Sequence, residues 1–427
     1  MPKIKVLVFP AEAVNATEVH DALSGCVNVE VWGASSEERH APYVFKNYRS
    51  DLPRLGDPSF YGALSSLVRE LGIDVVVPTH DTVLLEFAEN AGRIPAKVLA
   101  PSPETARACR SKRRTYEVLG GLPFVPRVYG SPSEVDSFPV FAKPDEGQGA
   151  RGARIVRDPG ELSRVDFARD VVVEYLPGRE YTVDCLTDAG GRLAVVSPRE
   201  RARVENGVSV CARTLPAGDE VRRIAEEINA RMDFCGLWFF QVKEDPSGAP
   251  KLLEVSGRCA GTMCATRAKG YNLPLMSVYA LMGRDVGAID CGYEVTVDRE
   301  LASSYRPSFE VRRLLLDYDD TLVHGAEVDL QAIRLLYQCR NKGVPVVLLT
   351  RHEGDLGADM DAHGIARGLF SAVEHLSWGE EKTDRVEAFD GDVLVDNSFA
   401  ERKAFHDRFG IPVLDVSEVP VLLDTRS

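Results

Sequence analysis

The run Leu314-Leu315-Leu316-Asp317-Tyr318-Asp319-Asp320-Thr321-Leu322 constrains this chain more than any other stretch. An apolar strand ends in two carboxylates at i and i+2, with a threonine close behind. Strand alternation puts Asp317 and Asp319 on one side, at the strand's C-terminal edge. Parallel α/β sheets bind ligands at that edge. Two adjacent carboxylates there repel each other unless a cation sits between them, so the pair predicts a divalent metal and phosphate chemistry. A second, nucleotide-like pattern lies upstream, which points to two phosphoryl-handling sites in one chain.

At 427 residues the chain has room for two or three domains with proper cores. The net charge of -14 argues against nucleic acid and anionic membranes as partners, while local basic clusters still allow small anionic substrates. No apolar run approaches a membrane span. The first residues read as a strand rather than a signal peptide. The nine cysteines are scattered and form no Cys-x-x-Cys pair, so neither a zinc site nor a disulfide framework is expected. These features together predict a cytoplasmic protein.

Residues 4–9, 27–32 and 73–78 are β-branched runs, and 57–71 and 82–91 have helical spacing. They predict a doubly wound module over residues 1–100. Phe9-Pro10-Ala11-Glu12 stands where a glycine-rich dinucleotide turn would be, which argues against a dinucleotide. Thr79-His80-Asp81 follows a strand and either faces a substrate or caps the next helix. From 101 to 298 the pattern is α+β, with strands expected at 139–143, 154–156, 171–174, 181–187, 193–197, 237–242 and 251–255. The stretch 293–310 is polar, lacks a period and reads as containing a linker, placed at 299–310. Strand and helix alternate again over 311–427, predicting a second doubly wound module.

In the middle region Lys143 ends an apolar strand and precedes a glycine-rich turn, Gly147-Gln148-Gly149-Ala150-Arg151-Gly152. Such a turn lets backbone N–H groups close over phosphate oxygens, and a lysine supplies a point charge. Lys112 lies in a basic cluster, and downstream come Glu174-Tyr175-Leu176, Glu180, Gln241 and Glu254-Val255-Ser256-Gly257-Arg258.

In this order the motifs resemble the carbamoyl phosphate synthetase-like branch of the ATP-grasp superfamily, over roughly residues 1–290. The resemblance implies that Lys112 and Lys143 bind ATP phosphates. It makes Gly147, Gln148, Gly149 and Gly152 part of a lid, and puts adenine against the backbone of Glu174, Tyr175 and Leu176. Glu180 would hold the ribose, and Gln241, Glu254 and Ser256 the metal, with Arg258 on the transferring phosphoryl group. Ser256 stands where the family usually has asparagine, a departure that predicts a weaker second metal. Arg199, Arg201 and Arg203 resemble substrate-side arginines, or form a basic strand facing solvent. The family activates a carboxylate as an acyl phosphate that an amine then displaces. Orientation alone supplies roughly 7–11 kcal/mol in favourable cases.

Asp317-x-Asp319-x-Thr321 resembles the first motif of the haloacid dehalogenase-like superfamily. Thr350 ends a later strand, Lys382 lies in a polar segment, and Asp396-Asn397 ends another strand. The resemblance implies Asp317 as nucleophile, Asp319 as acid and base, and Thr350 and Lys382 as phosphate holders. Asp317, the Asp319 carbonyl and Asp396 would bind magnesium. Asn397 replaces a frequent second carboxylate, and the short spacing from Asp317 to Thr350 leaves no room for a large cap.

The expected fold class is therefore α/β and α+β multidomain: a pre-ATP-grasp module, an ATP-grasp domain and a C-terminal haloacid dehalogenase-like Rossmannoid domain. The expected function is bifunctional, an ADP-forming carboxylate–amine ligase with a magnesium-dependent phosphatase, using ATP and magnesium or manganese. Its partners would be a carboxylate, an amine and a phosphorylated small molecule, with a homodimer expected by analogy. The alternatives are a kinase paired with a reversing phosphatase, or one domain that only binds.

Overall fold

The computed structural model describes residues 2–147, 151–205, 207–290, 292–300 and 302–426. The chain divides into two compact units, Met1–Leu301 and Ala302–Arg426.

The first unit opens with β1 (Ile4–Phe9), β2 (Val29–Ala34), β3 (Asn47–Arg49), β4 (Val75–Pro78) and β5 (Lys97–Val98), all parallel and ordered β3-β2-β1-β4-β5. β1 is apolar on both faces because helices cover both. Val6 and Val8 pack into one core, while Leu7 and Phe9 join Phe60, Leu64 and Phe87 in another.

Two antiparallel sheets follow. β6 (Val128–Tyr129), β7 (Val140–Pro144), β8 (Arg154–Val156) and β9 (Asp170–Glu174) are ordered β6-β9-β7-β8. The larger sheet contains β10 (Glu180–Thr187), β11 (Leu193–Glu205), β12 (Val208–Thr214), β13 (Gly236–Glu244), β14 (Pro250–Ser256) and β15 (Thr296–Asp298), ordered β14-β13-β10-β11-β12-β15. Alternation on β13 sends Trp238, Phe240 and Val242 against Ile224, Ala225 and Ile228 of the helix Asp219–Arg231. Leu237 and Phe239 point the other way, into the core shared with Val6 and Val8.

β11 continues well past residue 197 because Arg199 and Arg201 have partners inside the unit and Arg203 pairs with Asp298. Its neighbour β12 and the helices Asp219–Arg231 and Leu273–Leu281 were not anticipated from sequence pattern. β15 lies within the stretch read as polar and aperiodic, where Thr296–Asp298 pair with Cys211–Arg213. That ladder depends on a partner strand some eighty residues away, which local periodicity does not report.

The second unit contains β16 (Arg313–Leu316), a hairpin of β17 (Val323–His324) and β18 (Glu327–Val328), then β19 (Val346–Thr350), β20 (Ala372–His375), β21 (Asp392–Val395) and β22 (Val413–Leu414). Its five-stranded sheet is parallel, ordered β20-β19-β16-β21-β22. Leu314 and Leu316 enter one core and Leu315 the other. The helix Leu330–Lys342 begins at Asp329, whose carboxylate accepts from the Ala332 N–H, and stops at Gly343 in the left-handed region. Among the described residues no helix is long and apolar enough to cross a membrane.

Candidate active sites

In the first unit the two antiparallel sheets enclose a cavity of about 300 Å³, within the usual size range of ligand pockets. Phe141, Ile155 and Val173 line one wall, and Glu180, Gln241 and Leu253 the other. Lys143, at the end of β7, is 6% exposed. Its Nζ donates to Tyr116 Oη at 2.7 Å and to the Leu253 carbonyl at 2.9 Å. Burial, aided by the charge of Lys112, pushes its pKa down to about 7. Both partners are neutral acceptors, so among the described residues this ammonium has no counter-charge in hydrogen-bond contact. Lys112 Nζ reaches the Asp145 carbonyl at 3.2 Å, and the Asp145 carboxylate holds Ser111 Oγ and the Arg113 N–H.

Glu174 closes β9 against Arg127, and Tyr175 and Leu176 continue along the cavity wall. Glu180 pairs with Arg201 at 2.8 Å, and the same guanidinium donates to Gln241 Oε1 at 2.9 Å and to the Gly207 carbonyl at 2.9 Å. Arg201 Nε is buried with no hydrogen-bond partner among the described residues. Glu254 faces Gln241 across the β13–β14 ladder, which puts an amide and a carboxylate side by side. Gly152 has φ 78°, and a Cβ there would meet Pro144 at 3.0 Å, so this end of the turn requires glycine. Gly147 lines the cavity, while Gln148 and Gly149 lie outside the described residues.

A second cavity of about 720 Å³ is lined by several of the same residues, among them Lys112, Arg201, Gln241 and Glu254, and extends to His80, Asp81, Ser256 and Arg258. Ser256 Oγ and Arg258 Nε both donate to Asp81 Oδ1, at 3.1 and 2.8 Å. Burial works to raise the Asp81 pKa, but Arg258 and Ser256 outweigh it and hold the carboxyl below its ordinary value. His80 caps the helix Asp81–Glu89 through the Thr82 N–H, so the triplet Thr79-His80-Asp81 both starts a helix and faces a cavity. Arg199 also lines this space, but its guanidinium is 1% exposed and committed to Asp184 at 2.8 Å and to Thr262.

In the second unit the carboxyl ends of three neighbouring strands carry Asp317, Thr350 and Asp396. Lys382 Nζ bridges Asp317 Oδ1 and Asp396 Oδ2, each at 2.7 Å. Lys382 is 3% exposed, which excludes the solvated role its acidic neighbours suggest. Thr321 Oγ1 donates to Asp317 Oδ2 at 3.4 Å and accepts the Asn397 N–H at 3.0 Å. Burial, and then the Asp317 charge, push the Asp396 pKa up to about 6 against the opposing pull of Lys382. Thr350 Oγ1 is buried with no hydrogen-bond partner among the described residues. An orphaned donor costs about 1–3 kcal/mol unless something accepts from it. Asp319 stands half exposed, with both carboxylate oxygens on His352 Nδ1 at 2.9 and 3.1 Å. Asp320 adopts φ 55°, tolerated by aspartate, which turns the chain so that its N–H reaches the Val323 carbonyl.

The residues suit hard cations to different degrees. Glu254 and Gln241 supply two oxygens, although Arg201 already occupies the amide and the Ser256 proton points to Asp81. Asp317 and Asp396 form an acidic pair sharing one ammonium, a donor set that suits magnesium. Among the described residues no three His, Cys, Asp or Glu side chains form a ready metal cage.

Sequence reasoning missed Tyr116, Asp145 and His352. Tyr116 stands four residues after Lys112 on one helix, a spacing that puts both on one face. His352 follows Thr350 by two residues, at the sheet edge already marked for ligands.

A family model described as ATP-grasp in the biosynthetic pathway with Ter operon matches residues 166–300. No curated protein matches the chain. Among solved structures, the chain is similar to the biotin carboxylase domain of Hydrogenobacter thermophilus 2-oxoglutarate carboxylase, solved with MgADP and bicarbonate. That likeness has TM-score 0.56 and 17% identity, over 67% of this chain and 71% of that one. It is also similar to an L-amino acid ligase from Bacillus licheniformis, with TM-score 0.51 and 17% identity over 65% and 74%. N5-carboxyaminoimidazole synthetase from Staphylococcus aureus, complexed with ADP, matches with TM-score 0.54 and 13% identity over 67% and 79%. At these identities the likeness shows a shared fold over about two thirds of the chain, and the family model marks residues 166–300 of it as ATP-grasp-like.

Proposed function

We propose that the first unit is an ADP-forming carboxylate–amine ligase and the second a magnesium-dependent phosphatase acting on compounds of the same pathway. Residues 1–100 and 101–298 form the two parts of the ligase, 299–310 the linker and 311–427 the phosphatase.

The observation that carries the ligase reading is Lys143, a buried ammonium facing a cleft. Its hydrogen-bond partners among the described residues are neutral, and its nearest carboxylates, Glu254 and Glu180, act on it only at a distance. An ATP polyphosphate supplies the missing counter-charge, with Lys112 beside it and Glu180 near the ribose. Glu254 and Gln241 would hold a magnesium ion, which would supply charge neutralisation on the phosphates. Arg201 and Arg258 mark the route from the nucleotide cavity to the larger one, where a carboxylate substrate would sit. A carboxylate oxygen attacks the γ-phosphorus and ADP leaves; an amine then attacks the acyl carbon and phosphate leaves. The proteins similar in fold include one named as an L-amino acid ligase, which supports the same reaction type.

The phosphatase reading rests on Asp317, Lys382, Asp396 and the Thr350 hydroxyl, which has no hydrogen-bond partner among the described residues, at one sheet edge. Asp317 attacks the phosphorus, and Asp319 gives a proton to the departing oxygen. Water then attacks the aspartyl phosphate, passing a proton to Asp319, and Asp317 is released. Lys382 and Thr350 hold the phosphoryl oxygens. Asp317 and Asp396 would hold a magnesium ion, which would lower the charge on that group.

The test uses the Asp317→Asn protein with ATP, magnesium and pooled metabolites, followed by mass spectrometry. ADP together with a mass equal to a carboxylate plus an amine less water is the expected result. ADP with only a phosphorylated metabolite would replace the ligase by a kinase.

A further inference from the structure

We infer that His352 is the positioning residue for Asp319, fixing the carboxylate that exchanges protons during phosphate transfer; the inference rests on the phosphatase reading above. Asp319 needs such a support. It lies just beyond the end of β16, its side chain is about half exposed, and the next residue turns away in a left-handed conformation. An acid in that position would sample several rotamers, only some of which aim at a leaving oxygen. His352 is different in kind: its side chain is 11% exposed.

Each side of His352 is fixed. The Tyr318 ring packs edge-on against the imidazole, with centroids 5.3 Å apart at 83°. Tyr318 is itself fully buried, and its hydroxyl donates to Asp359 Oδ2 at 2.7 Å. His375 Nε2 lies 2.8 Å from the His352 carbonyl, so the backbone is tied to the end of β20 as well. The result is a His352 held just past the end of β19, with its ring against Tyr318 and its backbone tied to β20, and Nδ1 aimed between both oxygens of Asp319.

The chemistry follows from the contact. An ionised carboxylate only accepts, so Nδ1 carries the proton in this arrangement. A donor shared by both oxygens steadies the carboxylate left after Asp319 gives its proton to the leaving group. It also holds that carboxylate in place for the incoming water. His352 takes no part in bond making; it limits where Asp319 can be.

Leaving-group dependence separates this role from general structural support. An aryl phosphate such as p-nitrophenyl phosphate leaves without much proton donation, whereas an alkyl ester such as glycerol phosphate requires it. The full chain would be assayed on both, as wild type, Asp317→Asn, His352→Ala and His352→Asn. Asparagine places an amide N–H near the position of Nδ1. His352→Ala is expected to lose at least tenfold in kcat on the alkyl ester and under threefold on the aryl ester, with KM little changed. His352→Asn should recover much of that loss. Equal losses on both esters, or none on either, would overturn the role of His352 and leave the phosphatase reading intact, provided Asp317→Asn abolishes release. Wild type inactive on both esters, or Asp317→Asn as active as wild type, would overturn the phosphatase reading and this inference with it.

Discussion

In both units a five-stranded parallel sheet places its first strand at the centre, with the second and third on one side and the fourth and fifth on the other. Shared strand order creates a crevice between first and fourth strand in each case. After its first strand the N-terminal sheet carries Phe9-Pro10-Ala11-Glu12, and the C-terminal sheet carries Asp317-Tyr318-Asp319. After the fourth strand both supply a carboxylate, Asp81 in one and Asp396 in the other. Asp81 has Arg258 as its own cation and is held below its ordinary pKa. Asp396 shares Lys382 with Asp317 and is pushed up to about 6 by burial and by that neighbour. One acid with one base is a tie between segments. Two acids around one base retain net negative charge and attract a further cation. Topology supplies the crevice in both units; the charges placed in it differ.

The strongest attack on this contrast is Asp317→Asn, which should lower phosphate release from phosphate esters by on the order of 10³-fold or more, since the proposed nucleophile is lost. ATP-dependent turnover should not change, and coupled assays of ADP and phosphate measure both. Lys143→Met, close in volume, should reduce ATP turnover by about 10²–10³-fold while leaving the aryl phosphatase rate unaltered. Unchanged turnover would remove the ammonium from the nucleotide site.

The pH dependence of ATP binding sharpens the comparison further. In the free cleft Lys143 loses its proton as pH rises through about 7. A bound polyphosphate favours the charged form, so ATP affinity should fall by up to about tenfold per pH unit above 7. Calorimetry in buffers of different ionisation heat would register the proton taken up. For folding the sign is opposite. The unfolded chain keeps this proton up to the ordinary lysine value of 10.5. It therefore binds more protons than the native state between about 7 and 10.5, and this group's contribution to stability rises with pH there.

Asp81→Asn should lower ligase turnover by about tenfold through a misplaced Arg258, with hydrolysis of phosphate esters untouched. The smallest effect is structural: Asp329→Ala removes a helix cap and should cost the second unit about 1 kcal/mol in denaturant unfolding.

The edges of the C-terminal sheet were legible because each is an apolar run that stops at one polar residue: Leu316 then Asp317, Leu349 then Thr350, Val395 then Asp396. The sheet between them needs buried strands, and sequence marks those well. Lys382 was harder to place. Its neighbours Glu380 and Glu381 suggest a wetted surface, and only the return of the chain to the sheet edge buries it. Asp81 was visible as a residue after a strand, but its bonds to Ser256 and Arg258 span more than 170 positions, beyond any local pattern. Arg199 and Arg201 sit two apart on one strand and look equivalent. The structure separates them, because Asp184 lies beside the first and Glu180 and Gln241 beside the second.

The central position of β16 also sets an order of events during synthesis. β16 pairs with β19 on one side and with β21 on the other, and Arg313 and Asp392, partners across the second pairing, are 79 residues apart. At roughly 5–20 residues per second, the strand that leads into Asp317 leaves the ribosome about 4–16 s before that second neighbour. Until then Leu314, Leu315 and Leu316 present an open, apolar edge. Premature termination between residues 350 and 390 would make that exposure permanent, and such fragments are expected to be substrates for chaperones and proteases rather than partially active enzymes.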